Sequence, residues 1–263
     1  GIVEPVVLAV LVSRVAMVER AVRQARPDRL PARICGPVNS SGSMPTVIIP
    51  GDVSSQFTSG LLLAAPYMPD GLRVCLTGEV VSRPYLSMTV EVMRSFGASV
   101  DIPDQDTFVV HRGSYMARTY DIEPDATAAS YFFAAAVICG GSVRVDGLGS
   151  SSMQGDLGFV DVLASMGAEV AVESHATTVT GAPLHGVTAD FSQISDTAQT
   201  IAAVAVFADG PTTITGIGFI RRKETDRIAA MVTELRRIGV DATEHDDGFT
   251  VAPGPTVAAR IET

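Results

Sequence analysis

The chain has 263 residues, 46% of them hydrophobic, and a formal net charge of −10 at neutral pH. That length and apolar content specify a folded chain with a sizeable core rather than a disordered one, and the acidic balance argues against nonspecific nucleic-acid binding. A local cluster of cations can still set a site's potential against the global charge, so an anionic small molecule stays among the candidate substrates.

The apolar opening, Ile2 to Val12, is broken by Glu4 and too short to span a bilayer. It lacks the basic leader and small-residue cleavage pattern of a secretory signal, so a cytoplasmic protein without a membrane partner is expected. A helix ending by Pro27 is predicted here, followed by a turn-rich connector at Pro37–Pro45. Cys35, Cys75 and Cys139 are widely spaced and flanked by apolar residues or glycine, and are expected as buried small hydrophobes. The four histidines show no ligand spacing, so no metal site is predicted.

From residue 43 onward one pattern is written three times, over about 43–113, 124–181 and 187–253. Asp52, Asp125 and Asp196 stand at intervals of 73 and 71, and Gly97, Gly167 and Gly239 at intervals of 70 and 72. In each copy an acidic residue opens an apolar helix, a turn leads to a short strand (Arg73–Thr77, Ser142–Asp146, Thr212–Thr215), and an amphipathic helix closes on glycine. A strand hairpin follows, as at Asp241–Thr243 and Phe249–Val251. With a preceding strand such as Thr46–Ile49, the unit reads β-α-β-α-β-β, an α/β architecture. The helices Ser130–Ile138 and Thr200–Phe207 are apolar almost all round and are expected in the interior. A boundary falls near Tyr120–Glu123, giving domains at 1–123 and 124–263.

Four places carry candidate chemistry. In "GDVSSQF", Ser54, Ser55 and Gln56 lie where a loop enters a helix, which makes either an anion cradle or a capped helix end. In "SRPYLSMT", Ser82 is a candidate cap and Pro84 suits the first turn, with Arg83 and Tyr85 at the same end. Asp196 is either a capping carboxylate or one that binds or deprotonates a substrate hydroxyl. In "RRKETDR", Lys223, Glu224 and Arg227 fall at i, i+1 and i+4 of a helix start. Of the 19 lysines and arginines only Lys223 is a lysine. Arg221 and Arg222 add positive charge at the helix end where it is least welcome, an arrangement that a doubly anionic ligand would compensate.

The blocks "SSQFTSGLLLAAP", "SRPYLSMT", "PDATAASYFFAAA", "SMQGD", "ISDTAQTIAAVAVFA" and "RRKETDRIAAMVTELRRIG", in this order, resemble the 5-enolpyruvylshikimate-3-phosphate synthase family of enolpyruvyl transferases. The resemblance runs from about Gly36 to Pro253 and covers the family's central portion, without its N-terminal lysine–serine–arginine segment or its C-terminal Asp-His-Arg block. It implies a two-domain inside-out α/β barrel, present here as a partial set of units, with 1–123 in the shikimate-3-phosphate-binding domain. The implied reaction transfers the enolpyruvyl group of phosphoenolpyruvate to the 5-hydroxyl of shikimate 3-phosphate. No cofactor is implied, and the full-length protein is expected to be monomeric. By the same resemblance Ser54, Ser55 and Ser82 would hold the 3-phosphate, Gln56 and Tyr85 would contact the bound substrate, and Asp196 and Lys223 would engage its ring hydroxyls. Glu224 would exchange protons with the methylene carbon, and Arg227 would clamp phosphoenolpyruvate. Phe219 stands where the family often has a polar substrate-binding residue. The alternatives are an inactive homologue that binds a phosphorylated metabolite, and a UDP-N-acetylglucosamine enolpyruvyl transferase, whose reactive-cysteine loop has no counterpart in this chain.

Overall fold

A computed structural model describes residues 43–262, apart from 53 and 224, together with two short strands at 22–23 and 33–34. Those strands, β1 (Val22–Arg23) and β2 (Arg33–Ile34), pair antiparallel. The helix expected before Pro27 otherwise lies outside the described residues, and at Val22–Arg23 the backbone is strand instead. The chain divides into two compact units, one of Gly1–Val80 with Tyr85–Thr119, the other of Val81–Pro84 with Tyr120–Thr263.

The first unit holds one copy of the repeat, apart from the first two residues of its second helix: β3 (Thr46–Pro50), α1 (Ser55–Ala64), β4 (Leu72–Thr77), α2 (Arg83–Ser95), β5 (Val100–Asp104) and β6 (Thr107–Val110). β3 and β4 run parallel, and the β5–β6 hairpin returns so that β6 lies antiparallel beside β4. Period-two alternation puts Val47, Ile49, Leu72, Val74 and Leu76 on the covered face. The helical period brings Leu86, Val90 and Met93 of α2 down onto them.

In the second unit one copy runs α3 (Ala126–Cys139), β7 (Ser142–Asp146), α4 (Phe159–Ser165), β8 (Glu169–Val172) and β9 (Ala176–Thr180). The next runs β10 (Thr188–Asp190), α5 (Ala198–Ala205), β11 (Thr212–Thr215), α6 (Arg227–Arg237), β12 (Asp241–His245) and β13 (Gly248–Ala252). The last copy repeats the first unit's topology, with order β10-β11-β13-β12 against β3-β4-β6-β5. The middle copy has no opening strand and forms a three-stranded sheet, β7-β9-β8. Its approach segment is committed elsewhere: Glu123 accepts hydrogen bonds from Ser152, Gln154 and the Met153 amide, and Pro124 has no N–H for a ladder.

The barrel expectation is corrected. Among the described residues the repeats form three open sheets of four, three and four strands, each ending on its own edge strands. The reason lies in the unit: its hairpin folds back beside the second strand, so among the described residues every ladder terminates within one copy, and no strand pairs between copies.

The helix-closing glycines Gly97, Gly167 and Gly239 all adopt positive φ, at 89°, 113° and 88°, as a left-handed C-terminal turn requires. α3 and α5 are joined by a buried hydrogen bond of 3.0 Å between Ser130 Oγ and Thr200 Oγ1, and both bury small residues, Ala126 and Ala129 on one and Ala198 and Ala202 on the other, in the same core. The expectation that α3 is buried all round is corrected, because Tyr131 and Phe132 are 60% and 64% exposed. So is that for the cysteines: Cys75 is half-buried on β4 and Cys139 is exposed at the end of α3, while Cys35 lies outside the described residues. α6 buries Ile228, Val232 and Leu235 against the second core, each contributing about 1.5–3 kcal/mol when fully covered. Among the described residues no helix is long and apolar enough to cross a membrane.

Candidate active site

Asp196 sits in a 3-10 turn, Ser195–Thr197, at the entrance to α5. Ser195 and Thr197 on either side are fully buried, and Thr197 Oγ1 donates to the Ile194 carbonyl, so the turn is anchored and holds the carboxylate at the surface of the core. Thr197, not Asp196, occupies the N-cap position, and the capping reading of Asp196 is set aside. Its Oδ1 accepts instead from Lys223 Nζ at 2.7 Å and from Arg227 Nη1 at 3.0 Å. All three side chains are partly covered, at 32%, 16% and 26% exposure. Charge-assisted bonds of this kind contribute more than neutral ones, roughly 1.5–3 kcal/mol each.

The local structure that delivers Lys223 differs from the expected first helical turn. A 3-10 turn at Gly218–Arg222 ends on Lys223, and α6 begins only at Arg227, with Asp226 as its N-cap accepting from the Ala229 amide at 3.0 Å. Burial raises the Asp226 carboxyl's pKa, but the Ala229 amide and the Arg221 guanidinium outweigh it and hold that carboxyl below the ordinary range. Asp226 was readable as the cap, since it stands directly before the apolar spacing of Ile228, Val232 and Leu235. Glu224 lies outside the described residues. Phe219 is 8% exposed, and Lys223 Nζ stands 5.9 Å from its ring centroid, within cation–π range.

Arg221 does not contribute unpaired charge to this cluster. Its guanidinium is offset by Asp226 and Glu244, so of the two arginines expected to add charge for a doubly anionic ligand to compensate, Arg221 is already paired within the chain.

The remaining candidates are distributed between the units. In the first, Ser54 is the N-cap of α1 and accepts from the Gln56 amide at 3.3 Å. Ser54 and Ser55 are half-buried and Gln56 is exposed at this helix start. Tyr85 lies in the first turn of α2. A hydrogen bond between Ser59 Oγ and Thr89 Oγ1, 2.8 Å long, ties the two helices one turn beyond Ser55 and Tyr85. Ser82 belongs to the second unit, is 4% exposed, and donates its backbone N–H to the Ser192 carbonyl. It is the one non-glycine residue at positive φ, 55°, among the described residues. Backbone held in that region at a candidate site is a stored cost rather than a default.

The "SMQGD" block has a bracing role that the motif alone did not disclose. Gln154 accepts from the Ala126 amide at the start of α3 and donates to Glu123 and the Pro124 carbonyl, while Thr127 Oγ1 donates to Asp156.

This fold of repeated units is shared with solved enolpyruvyl transferases. EPSP synthase from Acinetobacter baumannii matches with a TM-score of 0.69 at 22% identity, over 89% of this chain and 54% of that one. The enolpyruvyl transferase NikO from Streptomyces tendae matches with a TM-score of 0.65 at 18% identity, over 94% and 58%. The sequence narrows the class. The profile of the family described as EPSP synthase (3-phosphoshikimate 1-carboxyvinyltransferase) matches residues 29–263, and the chain belongs to that family. Relatives named 3-phosphoshikimate 1-carboxyvinyltransferase include those of Edwardsiella ictaluri, 44% identical over 236 residues, and Methanoculleus marisnigri, 42% identical over 240. These alignments cover 89% and 90% of this chain but 54% and 56% of the relatives, so the chain spans about half the length of the curated relatives it matches.

Proposed function

We propose that this chain supplies the central part of an enzyme that transfers the enolpyruvyl group of phosphoenolpyruvate to the 5-hydroxyl of shikimate 3-phosphate. The observation that carries the reading is the convergence of Lys223 and Arg227 on one oxygen of Asp196 in a chain of this family. In the reaction the 5-hydroxyl gives up its proton to a base, its oxygen bonds to C2 of phosphoenolpyruvate, and C3 takes a proton as the C2–C3 double bond opens, giving a tetrahedral ketal. Loss of phosphate from C2 and of a proton from C3 then restores the double bond.

Two multiply charged anions must be brought together, and fixed cations offset their repulsion most strongly where water is excluded. Lys223 and Asp196 are assigned to the ring hydroxyls, with Asp196 near the reacting oxygen. Arg227 is assigned to the phosphoenolpyruvate anion and Glu224 to proton exchange at C3. Ser54, Ser55 and Ser82 are assigned to the 3-phosphate, with Gln56 and Tyr85 against the rest of that substrate. The half-buried hydroxyls at the start of α1 and the positive φ of Ser82 support these assignments. The proposed setting is the cytoplasm, in keeping with free Cys75 and Cys139.

The test measures phosphate release by the purified chain with both substrates, beside a Glu224→Gln variant, and the rate at which an amine-reactive reagent labels Lys223. Release that requires both substrates and collapses in the variant supports the reading. Slowing of Lys223 labelling by shikimate 3-phosphate without release supports substrate binding and places turnover in a longer chain. If neither release nor protection occurs, the reading fails for this chain.

A further inference from the structure

We propose that Asp247 and Arg221 form a clasp that positions Lys223 and Arg227, which makes the β12–β13 turn a working part of the site. Asp247 grips three consecutive amides: Oδ2 accepts from Gly216 N at 2.9 Å, its carbonyl from Ile217 N at 3.1 Å, and Oδ1 from Gly218 N at 2.8 Å. Gly218 opens the 3-10 turn that ends on Lys223. A Cβ there would stand 3.0 Å from Asp247 Oδ1, so the carboxylate is seated against bare backbone.

Arg221, inside the same turn, reaches back to the same hairpin. Its Nε donates to the Asp246 carbonyl at 3.1 Å, its Nη2 to the His245 carbonyl, and its Nη1 to Glu244 Oε1 at 2.6 Å. Nη1 also donates to Asp226 Oδ2 at 2.9 Å, and Asp226 caps the helix whose first residue is Arg227. The hairpin therefore holds both ends of the turn and the start of α6, and the two cations that meet Asp196 lie immediately beyond those anchor points. Burial works against the Arg221 charge, but Glu244 and Asp226 outweigh it and keep the guanidinium's proton more tightly held than usual. Neither Asp247 nor Arg221 bonds to Asp196; each acts through the segment it fixes.

The inference rests on the reading that Asp196, Lys223 and Arg227 engage substrate, but its test needs no substrate. Lys223 is the only lysine, so labelling of its amine can be followed by peptide mass spectrometry with the chain's α-amino group as internal reference. Lys223 is 16% exposed when held. In Asp247→Ala and Arg221→Met, labelling of Lys223 is expected to accelerate about fivefold, as local opening frees the turn. Asp247→Asn, which keeps one amide acceptor, is expected to fall between these and the parent. Asp104→Ala, which removes a local bond to the Asp106 amide at the tip of the other hairpin, is expected to leave labelling unchanged. Folded clasp variants that label within about twofold of the parent would overturn the proposal, whatever their melting temperature.

Should both variants fail to fold, the parent still decides in a urea series. Simultaneous loss of Gly216 and Gly218 amide protection and of Lys223 protection, below the global midpoint, supports the clasp. Labelling of Lys223 while those amides remain protected overturns it. If the variants accelerate labelling but shikimate 3-phosphate never slows it, the clasp stands and the functional reading is what fails.

Discussion

Ser82 offers the sharpest separation of strain from chemistry, through the pair Ser82→Gly and Ser82→Ala. With φ at 55° the side chain of any L-residue crowds its own backbone, at a cost of about 1–2 kcal/mol. Glycine removes that crowding but brings extra unfolded-state freedom of roughly 0.5–1 kcal/mol. Ser82→Gly is therefore expected to be more stable than Ser82→Ala by roughly 0.5–1 kcal/mol, or about 1–4 °C in the melting of the unit that contains it. Both variants lack the hydroxyl, which is 4% exposed with its residue and assigned to the 3-phosphate. Loss of one hydrogen bond to a charged group, about 1.5–3 kcal/mol, predicts a roughly ten- to hundredfold weaker affinity for shikimate 3-phosphate in both. Thermal unfolding followed by circular dichroism reads the first effect, and titration calorimetry the second. A glycine variant no more stable than the alanine variant would refute the strain argument. Unchanged affinity in both would refute the assignment of Ser82 to the phosphate.

Gly248→Ala is expected to destabilise the second unit by more than about 3 kcal/mol, measured by urea unfolding, since a Cβ there would meet the Ile214 carbonyl oxygen at 1.9 Å. Glu123 supplies a pH dependence. Burial raises its pKa, but Ser152, Gln154 and the Met153 amide outweigh it and hold the folded carboxyl below its ordinary value of 4.5. Its stabilisation is then complete above pH 4.5 and lost as pH falls through the lowered folded value. Glu123→Gln should accordingly lose less stability than the parent across that acidic window, and parallel curves would count against the network.

Much of the architecture was legible because it is periodic. Alternation in Val47–Ile49 and Leu72–Leu76, helical spacing in α2 and α6, and glycines at 97, 167 and 239 each encode structure locally, and the three copies reinforce one another. Sheet closure is not local. It depends on which edge strands meet, and nothing in the alternation of β3 or β10 records that each ladder stops within its own copy. α3 misled for a related reason: uniform apolarity marks a helix suited to cover on all sides, whereas Tyr131 and Phe132 are largely exposed. At the site, an acidic residue before a helix looks the same in sequence whether it caps or forms an ion pair. Asp125 does the first, bonding the Ala128 amide, and Asp196 the second, because Lys223 and Arg227 arrive from 27 and 31 residues away. The run Arg221–Lys223 read as one block of positive charge, yet its members separate once folded, Arg221 toward Glu244 and Asp226, Lys223 toward Asp196.

On the proposed assignment of Lys223 to a substrate ring hydroxyl, that separation gives a reason for a lysine rather than an arginine at 223. Two donors already converge on Asp196 Oδ1, at 2.7 and 3.0 Å, and a ring lies 5.9 Å beneath the ammonium. An ammonium is compact, approaches a single oxygen, and has three rotatable donors, so one can hold the carboxylate while another meets an incoming hydroxyl. A guanidinium is a flat fork that matches both oxygens of a carboxylate at once. At 223 it would compete with Arg227 for Asp196 and, on the proposed assignment, leave no donor directed at the substrate hydroxyl. Lys223→Arg is therefore expected to leave the melting temperature equal or slightly higher while lowering affinity for shikimate 3-phosphate about tenfold or more. Had charge alone been the requirement, the arginine variant would bind as well as the parent, and that outcome would refute the argument. Loss of affinity with stability retained would show that the geometry of the donor, and not its sign, sets the choice at 223.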